Sequence, residues 1–94
     1  MAAYTIRVEL KGDPSYEEYE KLHELMAAQG FKRTIRGVTP SGNDATFDLP
    51  HATYYGQSST TTGDLLDSLR TKIKADIQQD IVIFVAKTET WAIG

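Results

Sequence analysis

The sequence predicts an α+β domain of the ferredoxin-like kind: strand–helix–strand–strand–helix–strand, with a four-stranded antiparallel sheet carrying both helices on one face. Three observations predict it. The chain has 94 residues, room for one hydrophobic core and one domain spanning 1–94. Its first and last patterned segments have strand character, and two helical stripes lie between them. It contains no cysteine, so the core must hold without a disulfide framework.

Taken in order, Tyr4 to Lys11 alternates apolar and polar, which gives a strand with Tyr4, Ile6, Val8 and Leu10 on its buried face. Gly12-Asp13-Pro14 breaks it. Ser15 and Glu18 have the spacing of a capping box, and a helix follows to about Gln29 with Tyr19, Leu22 and Met26 as its stripe. Gly30 supplies a left-handed terminator. Phe31 to Val38 is the second strand, Pro40-Ser41-Gly42-Asn43 a turn, and Ala45 to Leu49 the third strand, ended by Pro50. His51 to Gln57 reads as a loop and Ser58 to Thr62 as a polar entrance to the second helix, with Thr61 and Asp64 as its cap. That helix runs from about Thr62 to Ala75 on Leu66, Leu69 and Ile73. Asp80 to Ala86 is the fourth strand, apolar on both faces. Its far face is to be covered either by Trp91 in the tail, Thr88 to Gly94, or by another subunit.

Composition narrows the function. A net charge of −3 and a pI near 5.2 argue against bulk, non-specific nucleic-acid binding but leave room for a local basic patch. Phosphate-loop, dinucleotide, HExxH and nucleophile-elbow motifs are all missing, so neither a metal nor a cofactor is expected. There is no long apolar run, which predicts no membrane span and a cytoplasmic protein.

Residues able to do chemistry concentrate between Gly30 and Tyr55. Arg33 and Arg36 are either a solvated strand or phosphate contacts, because guanidinium forks match phosphate oxygens. Arg7 and Lys32 would thicken such a patch, and Glu9 and Asp48 would thin it. Strand parity places Lys32 and Arg36 on the open face with Arg7, whereas Arg33 escapes burial only at a strand end or bulge. Tyr54 and Tyr55 are either loop packing or groups for base stacking, with a phenol aimed at a phosphate as a further use. His23, at the border of the first helical stripe, is a half-buried helix residue or a general acid–base. His51 reads as a polar surface residue or a proton carrier. Arg70, Lys72 and Lys74 form a solvated helix face.

The phrases Tyr4–Leu10, Tyr19–His23, Gln29-Gly30-Phe31-Lys32-Arg33-Thr34-Ile35-Arg36-Gly37 and Asp48-Leu49-Pro50-His51-Ala52-Thr53-Tyr54 resemble the small bacterial GhoS-type proteins, the endoribonuclease antitoxins of type V toxin–antitoxin systems. The resemblance covers nearly the whole chain. It implies a ferredoxin-like fold akin to the Cas2 nucleases, and cleavage of the single-stranded messenger RNA of a small membrane-lysing toxin. Under that reading His23, Arg33, Arg36 and Tyr54 are the catalytic candidates, and Arg7, Lys32, Arg36 and Tyr55 the RNA-binding ones. The expected assembly is a homodimer. A magnesium ion held by carboxylates near a dimer seam is the alternative mechanism, with Asp13 the position concerned. A non-catalytic ferredoxin-like dimer that binds protein or RNA is the alternative function.

Overall fold

The alternating segment near the start becomes the central strand. The computed structural model describes residues 1–93; Gly94, the end of the expected tail, lies outside them. The elements are β1 (Ala2–Leu10), α1 (Tyr16–Ala28), β2 (Thr34–Val38), β3 (Asp44–Asp48), β4 (Thr53–Ser58), α2 (Thr62–Asp76) and β5 (Ile81–Lys87). β1 runs antiparallel between β4 and β5, so that Ile6 faces Tyr54 on one side and Val85 on the other. Tyr4, Ile6, Val8 and Leu10 pack into one core with Leu22 and Met26 of α1 and Leu65, Leu69 and Ile73 of α2.

Both helix entrances form as the spacing requires. Ser15 Oγ accepts from the Glu18 amide at 3.1 Å, and the Glu18 carboxylate accepts from the Ser15 amide. Thr61 caps α2 by accepting from the Asp64 amide at 3.2 Å. Gly30, at φ 89°, ends α1 in the left-handed conformation. The α2 stripe is Leu65, Leu69 and Ile73, not Leu66, Leu69 and Ile73; a constant spacing of four aligns Leu65 with the core and leaves Leu66 on the flank.

The sheet differs from the expected four-stranded one. There is a three-stranded sheet, β4-β1-β5, and a separate two-stranded hairpin, β2–β3. The strand beside β1 is Thr53–Ser58, from the segment expected to be loop and polar entrance. Pro50 does stop the preceding strand. The chain then turns sharply, with the Thr53 amide donating to the Pro50 carbonyl at 3.1 Å and Ala52 at φ 56°. A second extended run begins there. Its β-forming residues, Thr53-Tyr54-Tyr55, are followed by Gly56-Gln57-Ser58, which hides the alternation. Gly56 has a packing reason: a Cβ there would strike the Gly30 carbonyl oxygen and lie 2.7 Å from Cδ1 of Phe31.

The expected second strand is itself broken. Lys32 makes one reciprocal backbone pair with Tyr55, at 2.9 and 2.8 Å, and the hairpin ladder starts only at Thr34. Arg33 sits at this break and is exposed, the escape from burial that strand parity demands. On β5, Ile81, Ile83 and Val85 pack on the core, while Val82 and Phe84 on the far face are 50% and 64% exposed. The described part of the tail does not cover them: Trp91 lies against Phe47 and Gly37 of the hairpin instead.

Candidate nucleic-acid interface and the His23 cluster

Tyr54 and Tyr55 are consecutive residues of β4, and a strand sends consecutive side chains to opposite faces. That alternation separates the candidate residues into two groups.

Tyr54 points to the helix side. It is fully buried, and its hydroxyl lies 2.7 Å from Nδ1 of His23 on α1. Burial raises the Tyr54 pKa, so the phenol keeps its proton. His23 is one residue past Leu22 and is half-buried. Burial, and then the Arg33 charge, hold its imidazole below the ordinary histidine range, with His51 pushing the same way and Glu20 opposing. The pair is therefore neutral with neutral near pH 7. Tyr19 and His51 complete an aromatic cluster: their rings are 4.5 Å apart, and His51 meets His23 edge-on at 6.3 Å. A shallow depression of about 280 Å³ lined by His23, Glu24, Ala27, Phe31, Lys32 and Arg33 opens beside the imidazole, so one carboxylate shares it with the two cations.

Tyr55 points the other way, beside Lys32 in the bridge and opposite Thr5 of β1. With Lys32, Thr34, Arg36, Thr46 and Gln57 it lines a groove of about 510 Å³ between β4 and the hairpin. Among the described residues no carboxylate lines this groove. Among the described residues the ion pairs are Lys11–Glu9 and Arg70–Asp67, so Lys32, Arg36, Arg33 and Arg7 hold unpaired charge. Arg7 is exposed, opposite Thr53 and Phe84, outside the groove.

Of the four catalytic candidates, the fold gathers His23, Tyr54 and Arg33 and places Arg36 in the groove across β4. Of the RNA-binding candidates it gathers Lys32, Arg36 and Tyr55 and leaves Arg7 apart. Lys32 lines both depressions and joins them. Tyr19, a member of the predicted helical stripe, also belongs to the histidine cluster; its position four residues before His23, on the same helix face, is the sequence signal for that role. Asp13 is exposed, and no group of three His, Cys, Asp or Glu stands close enough to hold a metal among the described residues. No helix among them is long and apolar enough to cross a membrane.

No protein-family model matches the chain, and no curated protein matches it.

Proposed function

We propose that this protein binds single-stranded RNA in the groove of Lys32, Arg36 and Tyr55, and that it is a GhoS-like endoribonuclease antitoxin acting in the cytoplasm on the messenger RNA of a small toxin. The observation that carries the reading is the convergence of two cations and one aromatic ring in one groove of an acidic protein, with no ion pair to either cation and no carboxylate among the described residues. A base stacks on Tyr55 while Lys32 and Arg36 take adjacent phosphates. The strand then passes Lys32 to reach His23 and Arg33. There the neutral imidazole takes the 2′-hydroxyl proton at Nε2 when Nδ1 carries the proton donated to Tyr54 Oη. The 2′-oxygen attacks phosphorus, the bond to the 5′-oxygen breaks, and His23 returns the proton to that oxygen. Arg33 offsets the charge gathered on the phosphorane. The products are a 2′,3′-cyclic phosphate and a 5′-hydroxyl. Buried Tyr54 orients the imidazole and does not touch the RNA.

The fold reading that goes with this is ferredoxin-like. It is supported by the strand order β5-β1-β4 followed by Lys32, with the second strand reduced to one bridge and the β2–β3 hairpin rising from it.

The test is cleavage of end-labelled single-stranded RNA by protein freed of contaminating nuclease. Fragments ending in cyclic phosphate, lost in His23→Ala and Arg33→Ala, are expected. Binding without cleavage would remove the enzyme reading, and absence of binding would remove both.

A second reading rests on β5. Val82 and Phe84 expose an apolar patch whose cross-strand neighbours are Glu9 and Arg7. Two copies related by a two-fold axis would bury Phe84 against itself and set Arg7 of one copy against Glu9 of the other. This is the non-catalytic dimeric module. A dimer by light scattering that Phe84→Ser converts to monomer, together with no RNA turnover, would favour it.

A further inference from the structure

We infer that the C-terminal tail is a strap that positions the β2–β3 hairpin, with Trp91 as its buckle. The inference deepens the RNA reading above, because the hairpin carries Arg36 into the groove. An isolated two-stranded hairpin is marginal in water. Among the described residues this one joins the main sheet through one bridge, Lys32–Tyr55, and its strands are five residues each. It therefore needs a third element to fix its angle. The tail supplies one.

After β5, Thr88 is fastened to β1 twice. Its amide donates to the Ala3 carbonyl at 2.8 Å, and its hydroxyl meets that of Thr5 at 2.6 Å. Three residues on, Trp91 crosses to the hairpin. Its ring lies edge-on to Phe47 with centroids 6.2 Å apart, and the residue keeps 37% of its surface exposed. Gly37 makes that seat: a Cβ there would lie 2.6 Å from Cη2 and 2.9 Å from Cζ2 of the indole. Gly37 is the β2 residue next to Arg36, so by alternation the face Trp91 grips is the reverse of the face that Arg36 presents to the groove. Gripping one side of the ribbon sets the position of the other. Trp91 is thus a positioning residue that has no contact with RNA.

Trp91 is the sole tryptophan of the chain, so its emission reports the buckle directly. The experiment compares the full chain with Gly37→Ala, Trp91→Ala and Trp91→Phe. In Gly37→Ala the emission should shift to the red and become easier to quench. In Gly37→Ala and Trp91→Ala, β2–β3 ladder amides should exchange about tenfold faster, as a locally opened unit does, while β1 and β4 amides keep their rates. Affinity for oligouridylate should fall about three- to tenfold through misplaced Arg36 and recover in Trp91→Phe, which keeps an aromatic ring on the seat. Wild-type emission in Gly37→Ala, or unchanged hairpin exchange in Trp91→Ala, overturns the strap. A hairpin that loosens in a protein whose wild type binds no oligouridylate upholds the strap and overturns the RNA reading.

Discussion

The two sides of β4 are built on opposite principles. On the helix side, Tyr54 is buried to the last atom and its one polar group is spent on His23. On the open side, Tyr55 is half-buried and borders the groove beside cations that make no ion pair among the described residues. One tyrosine serves the core and holds a titratable group in place. Its neighbour is presented outward. The difference teaches that a tyrosine pair in a sequence is two unlike residues once it lies in a strand. The tyrosine that borders the groove is the one of the pair that the core leaves partly uncovered.

That contrast can be broken by mutation, and the largest effect belongs to the buried side. Tyr54→Ala should cost about 3–5 kcal/mol, the usual loss for a large aromatic removed from a core, and urea denaturation would read it. Tyr55→Ala should leave the unfolding free energy within about 1 kcal/mol of wild type. It should weaken oligouridylate binding by about 1–3 kcal/mol, the scale of one base–aromatic stack. If the two substitutions cost the same stability, the division of labour fails.

The next effect is electrostatic. Lys32→Gln and Arg36→Gln should each lower the salt slope of RNA binding by about 0.7, the single-strand value per neutralised phosphate. Arg70→Gln, on α2, should not change it. Smaller again is Tyr54→Phe, which leaves His23 Nδ1 unpaired and should cost about 1 kcal/mol while retaining the core volume.

The last effect is pH dependence. The folded His23 pKa lies below its unfolded value near 6.5, so below that pH the unfolded chain binds the extra proton first. Stability from this group is complete above about pH 6.5 and is lost as pH falls toward the depressed folded value. His23→Gln should flatten the curve in that window. An unchanged curve would show that burial, with the Arg33 charge beside it, does not hold the imidazole neutral.

Much of this architecture was legible in the chain, and the failures have physical causes. The alternation of Tyr4–Leu10 and the caps at Ser15 and Thr61 are local signals, and each appears in the structure where local chemistry puts it. Thr53–Ser58 was not legible as a strand. Its glycine answers to the Gly30 carbonyl and the Phe31 ring, a contact between segments far apart in sequence. The split of one sheet into a sheet and a hairpin turns on the break at Arg33; parity requires an end or bulge there but does not say that the strand divides. Parity did separate Arg33 from Lys32 and Arg36, because it needs only the count of residues along an extended chain. The meeting of His23 with Tyr54 was illegible: it follows from β4 lying beside β1 under α1.

The central claim is that RNA occupies the groove on the Tyr55 side of β4. Titrating isotope-labelled protein with oligouridylate and following amide and side-chain shifts by NMR tests it most directly. Lys32, Arg36, Tyr55 and Gln57 should move together and saturate at one concentration, while Val82 and Phe84 stay still. Shifts confined to β5, or none at any concentration, would contradict the account.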